Sequence, residues 1–354
     1  MPNTGPEPQR VAILGASGYA GGELIRLLAQ HPGTAPTYLG AVGSAGKTLA
    51  EVHPYLAHLP VGGAVLREID VEAIAAEADI AFMSLPHGAS SVHAPALLEA
   101  GLRVIDLAGD FRLPAHEYPK WYGFEHPSPG WCSKAAYGLP ELFASDVADA
   151  SLVANPGCYP TPVILGLSPL VSAGLIEATQ ITVDGKTGLS GAGRAAVESS
   201  LFATSEDSIR PYRAPLHQHT PEMERGIEMA TGSSPRVLFV PHLVPTVRGV
   251  VTTCYAAASQ EASTESLTEC LSQAYAGQPF VRVLVPGEMV DSKRTRGTNV
   301  VELQAIVDPR TGTAIVVGAL DNLVKGAAGQ AIQNMNLMLG LDPSSFLPTV
   351  AVYP

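Results

Sequence analysis

With 354 residues, the chain exceeds one ordinary domain of about 100 to 200 residues, so two packed units are expected. Its content of 46% hydrophobic and 15% charged residues supplies a large apolar core and excludes a disordered or low-complexity chain. A net charge of −12 opposes a nonspecific grip on phosphate backbone or anionic lipid, so neither nucleic acid nor a membrane surface is expected as a partner.

The leading MPNTGPEPQR lacks the apolar centre of a signal peptide, and no later stretch approaches the roughly 18 apolar residues of a membrane span. It reads as a short disordered lead into a cytoplasmic protein. From Arg10 onward, apolar runs alternate with helical segments: RVAIL, an amphipathic stretch from Ala20 to Gln30, TYLGAV, DIAFMSL, a helix over Ser90 to Ala100, and RVIDL. That alternation predicts a parallel sheet flanked by helices. Residues 107–150, rich in Pro, Gly and aromatics, read as ordered loops.

VAILGASGYAGGEL places Gly15, Gly18 and Gly21 between a strand and a helix. Such glycines permit a tight turn and let backbone amides meet a pyrophosphate at a helix N-terminus. The candidate cofactor loop is therefore Gly15, Ala16, Ser17, Gly18, Tyr19, Ala20 and Gly21, spaced G-x-x-G-x-x-G. The next strand ends without the Asp or Glu that grips an adenosine ribose, whereas Ser44 and Lys47 offer a place for a phosphate, which favours NADP over NAD. Pro86 and His87, in SLPHGAS at the end of a strand, line the same crevice.

Beyond Leu152 the strands lengthen: QITVDG, RVLFVPHLVP, VVTTCYAAA, NVVELQAIV and TAIVVGAL, with helices near Tyr159 to Ala173 and Ser266 to Ala276. Their succession predicts an antiparallel or mixed sheet, an α+β unit. A last helix over Asn322 to Leu339 buries one face through Leu323, Val324, Ala327, Ala331, Met335 and Leu339.

The four cysteines, Cys132, Cys158, Cys254 and Cys270, form no C-x-x-C pair, so they read as free thiols in a reducing compartment and give no metal site. Cys158 stands apart in VANPGCYPTPVILGL, after a Pro-Gly turn and just ahead of a helical pattern, where the helix dipole favours thiolate. Cys254 in a strand and Cys270 in a helix read as core. A thiolate nucleophile needs a proton partner, and LHQHTPEME offers His217 and His219 just ahead of a helix start that includes Glu222. Arg112 in DLAGDFRL, Arg194 in SGAGR and Arg248 in VPTVRG provide cations for an anionic substrate. The segment around Ser190 and Gly191 exposes successive backbone amides, an anion nest.

Taken together, GASGYAGGEL, LPHG, DLAGDFRL, YGLPEL, NPGCYPT, SGAGR, HQHTPE and DNLVKGAAGQAIQNMN resemble, in order and over nearly the whole chain, the N-acetyl-gamma-glutamyl-phosphate reductases of arginine biosynthesis. These fall within the aspartate-semialdehyde and glyceraldehyde-phosphate dehydrogenase-like group. The resemblance implies an α/β protein: a Rossmann NADP-binding domain over 1–155, completed by the C-terminal helix 322–354, and an α+β catalytic and oligomerisation domain over 156–321. It further implies NADPH as reductant, a homodimer or homotetramer, and a Cys158 thioester formed from N-acetyl-L-glutamyl 5-phosphate. Asn322 would face the cofactor, and Glu222 would join Arg112, Arg194 and Arg248 around the substrate. Two alternatives remain: a lysine-pathway reductase of carrier-bound aminoadipyl phosphate, whose sister motifs differ at NPGCYPT and SGAGR, and a non-catalytic NADP-binding regulator, against which the retained Cys158, His217 and His219 argue.

Overall fold

The computed structural model describes residues 8–353, so most of the lead read as disordered lies outside the described residues. Order begins no later than Gln9, where the first strand opens. The chain divides into two compact units, one running to Asn155 and resuming over Ala328–Leu347, the other spanning Pro156–Ala327 and resuming at Pro348.

In the first unit, β1 (Gln9–Leu14), β2 (Thr34–Gly40), β3 (Ile80–Met83), β4 (Arg103–Asp106), β5 (Ala136–Tyr137) and β6 (Leu152–Ala154) form one sheet in the order β2-β1-β3-β4-β6-β5. Every pairing in it is parallel. β3 is buried along its whole length, as a strand covered on both faces must be. The helix Tyr19–Leu28 buries Leu24, Ile25, Leu27 and Leu28, each contributing roughly 1.5–3 kcal/mol of apolar burial. The order reverses between β1 and β3, and crevices of open α/β sheets form at such a reversal, beyond the carboxyl ends of the strands.

Residues 107–150 carry more structure than the loops expected from sequence, including a helix over Pro140–Ala148 that buries Pro140, Glu141, Phe143 and Val147. Its period is broken because Phe143 is not helical, at φ −129° and ψ 35°. The last helix also differs from expectation. A π-helical turn, Val324–Ala328, precedes the α-helix Gly329–Met338, and residues 322–327 fall in the second unit. That α-helix is buried almost all round, not on one face. Its amides replace water with protein acceptors: Gln330 and Asn334 donate to the Gly138 carbonyl at 3.0 and 2.9 Å, and Gln333 to Glu141 at 2.9 Å. Buried polar side chains are tolerated only on such terms.

In the second unit, β7 (Ile181–Thr187), β8 (Arg210–Pro211), β9 (Val237–Leu243), β10 (Val250–Ala257), β11 (Val281–Val283), β12 (Val301–Asp308) and β13 (Thr313–Leu320) form a sheet in the order β11-β12-β13-β10-β7-β9-β8. It is mixed, antiparallel along β12-β13-β10-β7 and parallel at β7-β9 and β11-β12. Burial alternates residue by residue along β7 and β9, the mark of a sheet with one face packed and one open.

Candidate active site

In the first unit the glycine loop joins β1 to the helix Tyr19–Leu28. Gly15 has φ +89°, and a Cβ there would lie 2.0 Å from the Ser84 carbonyl oxygen; a Cβ on Gly21 would lie 2.3 Å from the Gly15 oxygen. Packing therefore demands both glycines. Gly18 is different, since its Cβ would meet only the Gly15 oxygen, at 3.4 Å. The helix that follows has no side-chain cap and no acidic residue in its first turn, so the N–H groups that a helix leaves unbonded at its start receive no local anion. That combination of a backbone cradle and an uncapped helix start fits a pyrophosphate. Ala16 is buried, Tyr19 exposed, and Ser17 and Ala20 half-buried. Beyond the end of β2, Ser44 is half-buried and Lys47 exposed.

Pro86 and His87 are exposed just after β3, and the His87 ring meets Tyr122 edge-on at 5.0 Å. His53, which sequence reading did not single out, donates from Nε2 to the Ala16 carbonyl at 2.9 Å and so fixes the glycine loop from a site 37 residues away. Nothing local in EVHPYL announces this. Arg112, expected to meet substrate, is 4% exposed. Its Nε donates to the Asn155 carbonyl at 2.8 Å and its Nη2 to the Leu107 carbonyl at 3.0 Å. This geometry makes it a brace for the chain entering the Cys158 turn.

In the second unit Cys158 lies two residues ahead of the helix Pro160–Ser172 and is half-buried and in no disulfide. The preceding peptide is held at both ends. Gly157 N–H donates to Glu222 Oε1 at 2.8 Å, and its carbonyl accepts from Thr161 Oγ1 at 2.9 Å and Thr161 N–H at 3.1 Å. The π-helical turn packs on the cysteine: a Cβ on Gly326 would lie 2.7 Å from Cys158 Cβ. Cys254 is buried in β10, its thiol pushed up to about 12 by burial, and burial also raises Cys270; neither is poised as a nucleophile.

Both candidate histidines gather around Tyr159, the residue after the cysteine. Its ring lies 6.2 Å from His217, 6.0 Å from His219 and 5.0 Å from Phe239, and the two imidazoles are 4.7 Å apart. Tyr212, also missed from sequence, stacks edge-on to His217 at 5.5 Å. His217 Nδ1 accepts the His219 N–H at 3.1 Å, so a neutral His217 carries its proton on Nε2. His219 Nε2 lies 4.0 Å from Glu222 Oε2. Glu222 was expected among the substrate contacts, but its side chain is 0% exposed, and the bond to Gly157 makes it a support for the nucleophile's turn.

Further along the same unit, Asn322 donates to Ser190 Oγ at 2.9 Å and accepts the Gly249 N–H at 2.8 Å, which ties Ser190 to the loop carrying Arg248. Arg248 Nη1 is 3.5 Å from the buried Asp321 carboxylate. A Cβ on Gly191 would lie 3.0 Å from Thr187 Oγ1, and Arg194 is exposed.

Comparison with known proteins agrees with this layout. Residues 10–150 match the family described as semialdehyde dehydrogenase, NAD binding domain, and residues 158–322 match the semialdehyde dehydrogenase, dimerisation domain. Among curated proteins, the chain is 42% identical to an N-acetyl-gamma-glutamyl-phosphate reductase of Magnetococcus marinus, covering 98% of this chain and 99% of that one. It is 43% identical to the protein of that name from Synechocystis sp., with 99% and 100% covered. Among solved structures it is similar in fold to aspartate semialdehyde dehydrogenase II from Vibrio cholerae, at a TM-score of 0.72 and 20% identity over 95% of this chain and 99% of that one. The Candida albicans aspartate semialdehyde dehydrogenase with NADP gives a TM-score of 0.71 and 19% identity over 95% and 99%. With identities above 40% over almost the entire length of its relatives, the chain belongs to the N-acetyl-gamma-glutamyl-phosphate reductase family.

Proposed function

We propose that the chain reduces N-acetyl-L-glutamyl 5-phosphate with NADPH to N-acetyl-L-glutamate 5-semialdehyde and phosphate, a step of arginine biosynthesis. The observation that carries this reading is the near-full-length identity to reductases of that name, joined to a cysteine on a pinned turn whose next residue, Tyr159, packs against two histidines.

In this reading the Cys158 thiolate attacks the γ-acyl carbon, the bond from that carbon to the phosphate oxygen breaks, and the acyl group remains as a thioester. A protonated His217 or His219 gives its proton to the departing phosphate. NADPH, when bound, supplies hydride to the thioester carbonyl. The resulting hemithioacetal oxyanion reforms a carbonyl, the carbon–sulfur bond breaks, and Cys158 returns as thiolate. Backbone N–H groups over Gly15 to Gly21 would hold the pyrophosphate and Ser44 and Lys47 the 2′-phosphate, with Pro86 and His87 of the first unit and Ser190, Gly191 and Asn322 of the second as further cofactor residues. Arg194 and Arg248 meet the substrate's anionic groups, while Arg112 and Glu222 hold the chain on either side of the nucleophile's turn.

The first unit is thus the cofactor unit and the second the catalytic one. A homodimer or homotetramer in the cytoplasm completes the reading, assembled on the open sheet face that exposes Leu238 at 52% and Tyr255 at 39%. Exposed apolar residues of this kind mark association surfaces. Among the described residues, no helix is long and apolar enough to cross a membrane. The deciding assay is NADP-dependent oxidation of N-acetyl-L-glutamate 5-semialdehyde in the presence of phosphate, followed by absorbance of the reduced cofactor. A folded protein that binds NADP yet shows no phosphate-dependent turnover would overturn the proposal.

A further inference from the structure

We propose that Asp110 is a positioning residue for the dinucleotide: its carboxylate fixes the turn Pro86–His87–Gly88 that forms the crevice wall facing the glycine loop. The inference rests on the cofactor reading above.

Asp110 is fully buried. One carboxylate oxygen accepts the Gly88 N–H at 2.9 Å and the other accepts the Ser91 N–H at 2.9 Å, across 22 and 19 residues of chain. Ser91 Oγ closes the ring by donating to the Gly88 carbonyl at 3.0 Å. Charge-assisted bonds of this type are about twice as strong as neutral ones. The demand is specific to a carboxylate. Two N–H donors approach two oxygens, whereas an asparagine would present one oxygen and one NH2 group, setting a donor against a donor.

The helix Ser90–Glu99 has no local side-chain cap, with Ala89 at its start. Asp110 therefore supplies from a distant loop what a neighbouring Ser or Asp ordinarily supplies, and in doing so it ties the turn to that loop. The loop is itself rigid. Asp106, at the end of β4, accepts the N–H groups of Ala108, Gly109 and Asp110 at 3.0, 3.2 and 2.9 Å. Tyr118 donates to the Gly109 carbonyl at 3.0 Å, and His126 Nε2 donates to the Asp110 carbonyl at 2.7 Å while its Nδ1 accepts from Ser128 N–H at 3.1 Å.

The turn held in this way leaves β3 where Gly15 abuts the Ser84 carbonyl, so it stands beside the glycine loop at the reversal in strand order. Gly88 has φ +87°, and a Cβ there would lie 3.6 Å from the Phe124 ring, which defines the turn's outer limit. A change in how Asp110 holds Gly88 alters the width of the crevice without touching the thiol chemistry.

The test is NADPH affinity by fluorescence titration without substrate, together with steady-state kinetics, on the full chain carrying Asp110→Asn. Loss of a charge-assisted bond predicts Kd and KM for NADPH raised by about tenfold or more, with kcat at saturating NADPH lowered by less than about threefold because the reacting groups are unaltered. A folded Asp110→Asn protein with wild-type Kd, or one whose kcat falls as far as its affinity, overturns the inference. Should Asp110→Asn not fold, Gly88→Ala distorts the same turn at a surface-near position: a raised Kd with kcat retained supports the proposal, and an unaltered Kd defeats it. If the wild type itself binds no NADPH, the cofactor reading has failed; if it binds and the variants bind equally well, only the role of Asp110 has.

Discussion

The glycine loop and the Cys158 turn both end a strand and open a helix, yet they are built in opposite ways. The loop takes its shape from side chains that are missing, since Gly15 and Gly21 admit backbone at 2.0 and 2.3 Å from where a Cβ would stand. The cysteine turn takes its shape from side chains that are present and distant, above all Glu222, which grips Gly157 across 65 residues. A site that receives a large ligand through backbone amides is best made by removing atoms. A site that presents one reactive atom is best made by surrounding it with buried, hydrogen-bonded supports.

The widest separation between the two comes from Cys158→Ala. Turnover should fall by a factor on the order of 10⁴ or more while NADPH titration gives the wild-type affinity. Substantial residual phosphate-dependent activity would mean that the nucleophile lies elsewhere. Next in size is Gly15→Ala, where positive φ and a carbonyl at 2.0 Å predict destabilisation of about 3 kcal/mol or more. Gly18→Ala, with room for a Cβ, should alter the unfolding free energy from denaturant titration by less than about 0.5 kcal/mol and weaken NADPH binding. If the two glycines proved equally costly to stability, the distinction between a packing glycine and a ligand glycine would collapse.

At the cysteine turn, Glu222→Ala strands the Gly157 N–H and should cost about 1–3 kcal/mol in chemical denaturation. Glu222→Gln keeps an acceptor and should recover most of that loss, while still changing kcat because the charge 4.0 Å from His219 is gone. Equal stability of the two variants would remove Glu222 from its supporting role.

The smallest effect concerns pH. Burial first, and the neighbouring Asp110 charge second, push Asp106 from 3.8 up to about 6. A carboxyl that holds its proton more tightly in the folded state favours folding most below its unfolded pKa. Its contribution is therefore full below about pH 3.8 and declines as pH rises toward about 6. Asp106→Asn should flatten that part of the stability profile in urea titrations between pH 4 and about 7; an unchanged slope would assign the titration to another group.

Much of this architecture was legible because its signals are local. Glycines at 15, 18 and 21 between a strand and a helix, and a cysteine after Pro-Gly before a helix, need no knowledge of distant chain. Strand β2 was read too late, at Thr37 rather than Thr34, because Pro36 masks its start; an edge strand tolerates a proline that an inner one would not. The helix Pro140–Ala148 was missed because a non-helical Phe143 breaks its period. Arg112 and Glu222 were expected among the substrate contacts; Arg112 turns toward the Asn155 and Leu107 carbonyls and Glu222 toward the Gly157 N–H, inward turns that charge and spacing alone do not reveal. His53 and Tyr212 carry no local signal, and Asp110, though inside DLAGDFRL, carries none for the partners it takes; their meaning arises only when the chain closes on itself.

The first unit's dependence on residues 328–347 has a consequence for synthesis. A ribosome delivers the glycine loop early and the helix Gly329–Met338 almost last, so the carbonyl of Gly138 waits for Gln330 and Asn334 through the translation of nearly two hundred residues. Domains usually mature in the order in which they emerge. Here the unit begun first is finished only after residues 156–327 of the other have been delivered, so the nascent protein carries an incomplete nucleotide-binding fold while most of the second unit takes shape.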